Sequence, residues 1–460
     1  MIAAAALVIV PWVVCGAALR RLIHIRWPTP LLAALSLGLS IGLASVFWWL
    51  LLQVPFTSAR AFIAADLALW TAAMVALLAA RRRPPREAPQ VASAAPQAPA
   101  APLVPGAARW LVFLLFLGTA AIAVVSSSAL TAVQPHGSWD AWAIWNLRAR
   151  FLFDGWPHQW QDGFSASLAW SHPDYPLLVP VTVARLWLAT GRDWPSVPIA
   201  VSWLFSALTV GVLGTTIARH QGRTLAFAAA AALLASPTFV TESASQIADM
   251  PLAFFMLATF VSLSLADEGG AGAYVAAGAF AGLAAWTKNE GTVFAAIVLV
   301  VAGTAAIRAH GWRGLAAAGL LCAGAVPALA ALTVFRITVS PPSELVAAAT
   351  AARLAARLTN VPRMRTIAVG LGRALWLNGA ALVGPLPIVA ASTALRGFTR
   401  HRHTAARLAL VAMVLMIGAY AATYAISPYN LEWHIGTSVD RLVLQVLPTS
   451  LWTLTEVRRK

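Results

Sequence analysis

His136-Gly137-Ser138-Trp139-Asp140-Ala141-Trp142-Ala143-Ile144-Trp145-Asn146-Leu147-Arg148-Ala149-Arg150-Phe151 follows a long apolar run and opens a polar segment crowded with tryptophan. A carboxylate just beyond a membrane helix is costly and marks a functional position by default. Asp140 lies where a lipid-borne substrate would meet water, which suits a base. Asp140, Ile144, Leu147 and Phe151 recur at helical spacing, so an amphipathic helix on the membrane surface is expected here. Ser138 or Asp140 serving only as its cap is the plainer alternative.

The composition fixes the setting. The chain has 460 residues, 60% of them hydrophobic and 10% charged, against about 25% charged in soluble domains. The expected fold is an all-α polytopic membrane protein, with interfacial helices in a large first extracytoplasmic loop. About 13 spans of crossing length are predicted, at 2–19, 31–53, 62–80, 110–133, 196–218, 224–240, 250–266, 272–288, 291–307, 313–335, 374–394, 406–426 and 441–457. Met1 to Val10 lack the basic start of a signal peptide, so the first span is read as retained. Cys15 and Cys322 lie in apolar runs and imply neither a disulfide framework nor a zinc motif.

The net charge of +16 reads as membrane topology, not nucleic-acid binding, because arginines cluster in short loops between spans. Arg20, Arg21 and Arg26, the run Arg81-Arg82-Arg83, Arg219 with Arg223, Arg308 with Arg313, Arg396 with Arg400 and Arg402, and the tail Arg458-Arg459-Lys460 share one side, the cytoplasm. Most acids then fall outside, Asp140, Asp249, Glu290 and Glu432 among them. The alternation requires 176–190 to lie in or dip into the outer interface, and Asp66 to reach that interface from inside its span. The chain divides into three leading helices (1–80), a Pro/Ala-rich cytoplasmic linker (81–109), a membrane module (110–336) with outer loop 134–195, and an arginine-rich outer segment with C-terminal helices (337–460).

The other outside segments carry the remaining candidates. Tryptophans of the first loop suit the half-wet interface, and some suit stacking on sugar rings. Asp249 precedes Pro251 and either caps the next span or enters a site. Lys288, one of two lysines, offers a compact charge for a phosphate or a carboxylate, or forms a surface turn with Glu290. Arg353, Arg357, Arg363 and Arg365 breach the charge rule on the outer side. They suit a phosphate ester or anionic lipid. Glu432 and His434 sit in a polar stretch, 428–441, that closes over the site or binds a substrate. His136, His158 and His172 with Asp162 and Asp174 offer a possible divalent-metal set, although their spacing matches no metal motif. No phosphate-cradling glycine loop is present.

In order and context the chain resembles a GT-C glycosyltransferase, of the branch that includes protein O-mannosyltransferases and lipid A aminoarabinose transferases. The residues that carry the resemblance are Trp139-Asp140-Ala141-Trp142 running to Phe153-Asp154-Gly155, then His172-Pro173-Asp174-Tyr175-Pro176-Leu177-Leu178, then Ala248-Asp249-Met250-Pro251-Leu252, then Gly282-Leu283-Ala284-Ala285-Trp286-Thr287-Lys288. They span roughly 110–310. Where the family has an acidic pair in the first loop, this chain has Asp140 followed by Ala141. The resemblance implies a polyprenyl-phosphate-linked sugar as donor, reaction on the periplasmic or exterior side of the plasma (inner) membrane, and Asp140 as catalytic base.

The expected chemistry is inverting transfer to a hydroxyl of a glycan, lipid or protein. Lys288, Arg353, Arg357, Arg363 and Arg365 would bind the donor phosphate. Asp249, Glu290, His172, Asp174, Glu432 and His434 would hold sugar or acceptor. A transporter or flippase of a lipid-linked sugar needs a charged path at mid-bilayer, and a noncatalytic envelope-assembly protein needs no convergent acid and lysine. No metal ligand is assigned, and no cofactor is required beyond a possible divalent metal.

Overall fold

The computed structural model describes residues 2–80, 106–343, 351–395 and 404–456. The predicted linker through residue 105, the basic turn at 396–403 and the tail from 457 lie outside the described residues. So does the side chain of Arg353. The described residues are helical and contain no strand.

Long apolar helices form the frame: α1 (Ile2–Leu22), α2 (Thr29–Leu51), α3 (Ala59–Ala79), α4 (Gly106–Val133), α7 (Ser196–Gln221), α13 (Asn289–His310), α14 (Trp312–Thr338) and α18 (Thr404–Ile426). Among the described residues these are the 8 helices long and apolar enough to cross a membrane. Shorter helices complete the bundle: α5 (Asn146–Asp154), α6 (Leu178–Thr190), α8 (Arg223–Leu234), α9 (Pro237–Ala244), α10 (Asp249–Ser264), α11 (Ala266–Gly269), α12 (Gly272–Thr287), α15 (Ala351–Leu358), α16 (Val361–Leu377) and α17 (Pro385–Leu395). The last is α19 (Leu431–Thr455).

Helices α10 and α12 form the centre. Every residue of α10 is buried, as befits a helix apolar all round. It packs on α7, α12 and α19, while α12 lies along α14. That last contact is backbone-close: a Cβ at Gly278 would stand 1.9 Å from the Leu321 carbonyl oxygen, the small-residue packing by which membrane helices associate. At 16 residues each, α10 and α12 are about 24 Å long, short of the ~30 Å hydrocarbon core.

Two predicted spans are corrected. The stretch 224–240 is not one straight helix: α8 and α9 meet at 69°, because Ser236 caps α9 and Pro237 occupies its first turn. The stretch 374–394 is interrupted. Asn378 takes a left-handed conformation (φ 44°) that ends α16. Its side chain accepts from Ser236 Oγ at 2.7 Å and donates to the Asp440 carbonyl at 3.1 Å. Hydropathy registers the apolar content of these stretches and not the break.

The placement of Asp66 is also corrected. Leu178 to Arg185 of α6 are buried, packed against α1, α2, α5 and α7. Arg185 bonds Asp66 of α3 at 2.6 and 3.2 Å and the Leu7 carbonyl at 2.8 Å. Asp66, 1% exposed, therefore reaches a partner and not water. At the other end of the bundle, Arg219 pairs with Glu268 and His220 with Glu456.

Removing one member of a buried pair strands the other charge. Asp66→Ala should cost about 3–5 kcal/mol, read as a lowered thermal midpoint in detergent. Adding Arg185→Leu should recover most of that loss. An unchanged midpoint in the single variant would contradict the pinning role.

Candidate active site

The site is assembled from four pieces of chain. The turn before Asp140 is sewn to the end of α9: the Ser138 amide donates to the Ser245 carbonyl at 3.2 Å, Gln246 Nε2 to the Pro135 carbonyl at 3.0 Å, and Asn146 Nδ2 to Gln246 Oε1 at 3.0 Å. Gly137 is required at this crossing. It has φ 78°, and a Cβ there would lie 2.6 Å from the Ser245 carbonyl oxygen. Asp140 then opens a π-helical turn, Ala141–Trp145, that runs into α5. Such turns recur at functional sites. Ala141, Ala143, Ile144, Trp145, Asn146 and Arg148 are buried, so this helix is embedded in the protein and not spread on the membrane as expected. Trp139, Trp142 and Trp170 remain half exposed, with Trp139 packed on the other two.

The Asp140 side chain makes no cap hydrogen bond. It accepts instead from Arg441 Nη1 at 2.5 Å. One turn further along α19, Gln445 Nε2 donates to Asp249 Oδ1. Residues four apart share a helix face, so a single face of α19 holds both carboxylates. Asp249 also accepts from Lys288 Nζ at 3.0 Å, and Lys288 reaches Glu290 at 3.1 Å. The Asp140–Arg441 pair and the Asp249–Lys288–Glu290 cluster thus form one polar network gathered along a single face of α19. Asp140 lies at its accessible edge, with 28% of its side chain exposed against 1% for Asp249. Burial alone would lower the Lys288 pKa, but Asp249 and Glu290 outweigh it and hold the ammonium above its usual range.

The loop 172–175 flanks the network. Asp174 Oδ2 accepts from Asn289 Nδ2 at 2.8 Å, and its carbonyl accepts from Arg336 Nη1 at 2.7 Å. Arg336 Nη2 donates in turn to Asn289 Oδ1. Arg148 holds Ser171 through its carbonyl at 3.0 Å and its hydroxyl at 2.7 Å. Burial pushes the Arg148 pKa down to about 10 against the opposing charge of Asp174. His172 and Trp145 both lie against Tyr175. Asp174 therefore fastens the loop to α13, beside the network and not in it.

The outer arginines depart from expectation. Arg357 donates to the Ile426 carbonyl, and Arg363 to the carbonyls of Tyr424 (2.6 Å), Ser427 (3.0 Å) and Ala425 (3.2 Å). Cations at a helix C-terminus satisfy carbonyls that the helix leaves open. These two guanidinia brace the end of α18 instead of facing the network. Arg365 is exposed. Glu432 is also exposed, and it lines a separate groove of about 450 Å³ between α16 and α19 with Arg373 and Asp440. His434 bonds Ser427 at 2.8 Å and packs on Tyr424 and Tyr429. Among the described residues, no three of His, Cys, Asp or Glu are grouped to hold a metal.

Arg441, Gln445 and Glu242 are the residues that sequence reasoning did not assign. Arg441 and Gln445 gave a usable signal: two polar residues four apart near the start of an apolar run.

A helical bundle with charged residues gathered at one end defines a polytopic membrane protein with a buried polar centre. Residues 188–337 match the family described as dolichyl-phosphate-mannose-protein mannosyltransferase. The match spans α7 to α14 and includes Glu242, Asp249, Lys288 and Glu290. It supports a membrane glycosyltransferase of the GT-C type. No curated protein and no solved structure matches the chain.

Asp249→Ala leaves buried Lys288 with Glu290 alone. It should lower stability by about 3 kcal/mol or more, while Gln445→Ala costs about 1 kcal/mol. Thermal unfolding in detergent reads both, and a reversed order would contradict the assigned hierarchy.

Proposed function

We propose that the chain transfers a sugar from a polyprenyl-phosphate-linked donor to a hydroxyl of a glycan, lipid or protein acceptor, with inversion. The observation that carries this reading is that one face of α19 holds accessible Asp140 through Arg441 and, one turn on, buried Asp249 through Gln445, with Lys288 paired to Asp249. Asp140 accepts the acceptor's proton as the new oxygen–carbon bond forms. The bond from the anomeric carbon to the phosphate oxygen breaks on the opposite face, and polyprenyl phosphate departs with that electron pair.

The leaving phosphate gains negative charge, which fixed cations in a dry site stabilise. With Arg357 and Arg363 committed to α18, Lys288 and Arg441 take this role. Asp249 and Glu290 orient Lys288 and hold sugar hydroxyls. The polyprenyl chain lies among the spans, where each buried CH₂ contributes about 0.8 kcal/mol. The protein sits in the plasma (inner) membrane with this end facing the periplasm or exterior. That orientation rests on the basic loops, whose Arg21 and Arg219 gather at the opposite end.

Purified protein should release polyprenyl phosphate from a polyprenyl-phosphate sugar, which a flippase would not do. Asp140→Asn should lower transfer about 10²- to 10⁴-fold at unchanged insertion; wild-type turnover would remove Asp140 as the base. Lys288→Ala should impair donor use more than acceptor use, and equal loss would count against its phosphate role. A cysteine at exposed Ser165 should react in intact cells with a membrane-impermeant maleimide. Protection there, with labelling only after lysis, would invert the orientation.

A further inference from the structure

Glu242 lies in α9, 7% exposed, and has no part in the chemistry above. Its Oε2 has no hydrogen-bond partner, and neither has Arg441 Nε. A buried carboxylate oxygen left unsatisfied calls for a functional explanation. The two groups belong to one neighbourhood: α9 packs on α19, and the Asp140 turn hangs from Ser245, less than one turn beyond Glu242. Burial pushes the Glu242 pKa up to about 7 against the opposing charge of Arg441, so the carboxylate is ionised above neutral pH. Asp249, Asp140 and Glu242 each act electrostatically on Arg441, and of the three Asp140 alone accepts a hydrogen bond from it.

An arginine serving a leaving phosphate faces a conflict. It must stabilise the anion as it forms, yet a guanidinium without competitors would retain the polyprenyl phosphate product. We propose that Glu242 is a positioning residue of this centre that acts through Arg441. Its carboxylate competes with phosphate for the guanidinium and so lets the product leave. This inference rests on the donor reading given above.

The test uses full-length protein in detergent with undecaprenyl phosphate as the probe. Glu242→Gln keeps the shape and removes the charge, and should bind the probe roughly tenfold more tightly, since a buried like charge opposes an anion by an amount of that order or larger. Glu242→Asp should stay near wild type. In an Arg441→Gln background the tightening should vanish. A merely structural Glu242 would lower the melting temperature without tightening the probe. Should the glutamine variant fail to fold, Glu242→Ala carries the same expectation. The proposal is overturned if wild-type protein binds the probe and the charge-removing variant binds no tighter, or if tightening persists without Arg441. Wild-type protein that does not bind the probe overturns the donor reading itself, and this inference with it.

Discussion

The contact on which the rest depends is made by one face of α19. Arg441 and Gln445 stand one turn apart, and they reach Asp140 from the outer loop and Asp249 from the buried end of α10. An ionised carboxylate within a bundle is tolerated only where it is paired and hydrogen-bonded. Asp249 meets that condition with Gln445 and Lys288, and Asp140 meets it with Arg441. The C-terminal helix is therefore part of the centre, although it lies far along the chain from the loop that begins it.

The burial of Asp249 and Lys288 follows from where they sit. They stand at the ends of the central helices α10 and α12, with side chains 1% and 8% exposed, and α10 is packed against α7, α12 and α19. The loop that carries Asp140 is held against the end of α9 because Gly137 allows the close approach, and because Asn146 and Gln246 bond across the join. Asp174 and Asn289 fasten the next loop to the start of α13.

Asp140, Asp249, Lys288 and Glu290 were legible in the sequence because charged residues at the ends of apolar runs are expensive and stand out against a chain with so few of them. Their convergence was not legible, since it depends on α19 crossing α10. The arginines near 353–365 misled for a physical reason. Sequence shows a cation but not its acceptor, and the acceptors of Arg357 and Arg363 are backbone carbonyls at the end of α18, which carry no residue signature. Asp66 misled similarly: its position near a span end suggested water, but Arg185 on α6 supplies the partner. The spans at 224–240 and 374–394 were apolar enough to count, yet Pro237 and the left-handed Asn378 interrupt them.

The charge balance of the centre bears on how such a site works. Asp140, Asp249 and Glu290 face Arg441 and Lys288, so the anions outnumber the cations among these residues even before Glu242 is counted. A site of this sign holds a phosphate diester less firmly than the two cations alone would. Catalysis gains from interactions that strengthen toward the transition state, not from tight ground-state binding. In the transfer proposed above, the phosphate oxygen would gain charge as the sugar leaves, while Asp140 would lose its own by taking a proton. Arg441 would then be released from its hydrogen-bonded partner at the moment the leaving group needs it. On that proposal a cation held by the base becomes available through the base's own protonation, and one guanidinium joins the two halves of the transfer.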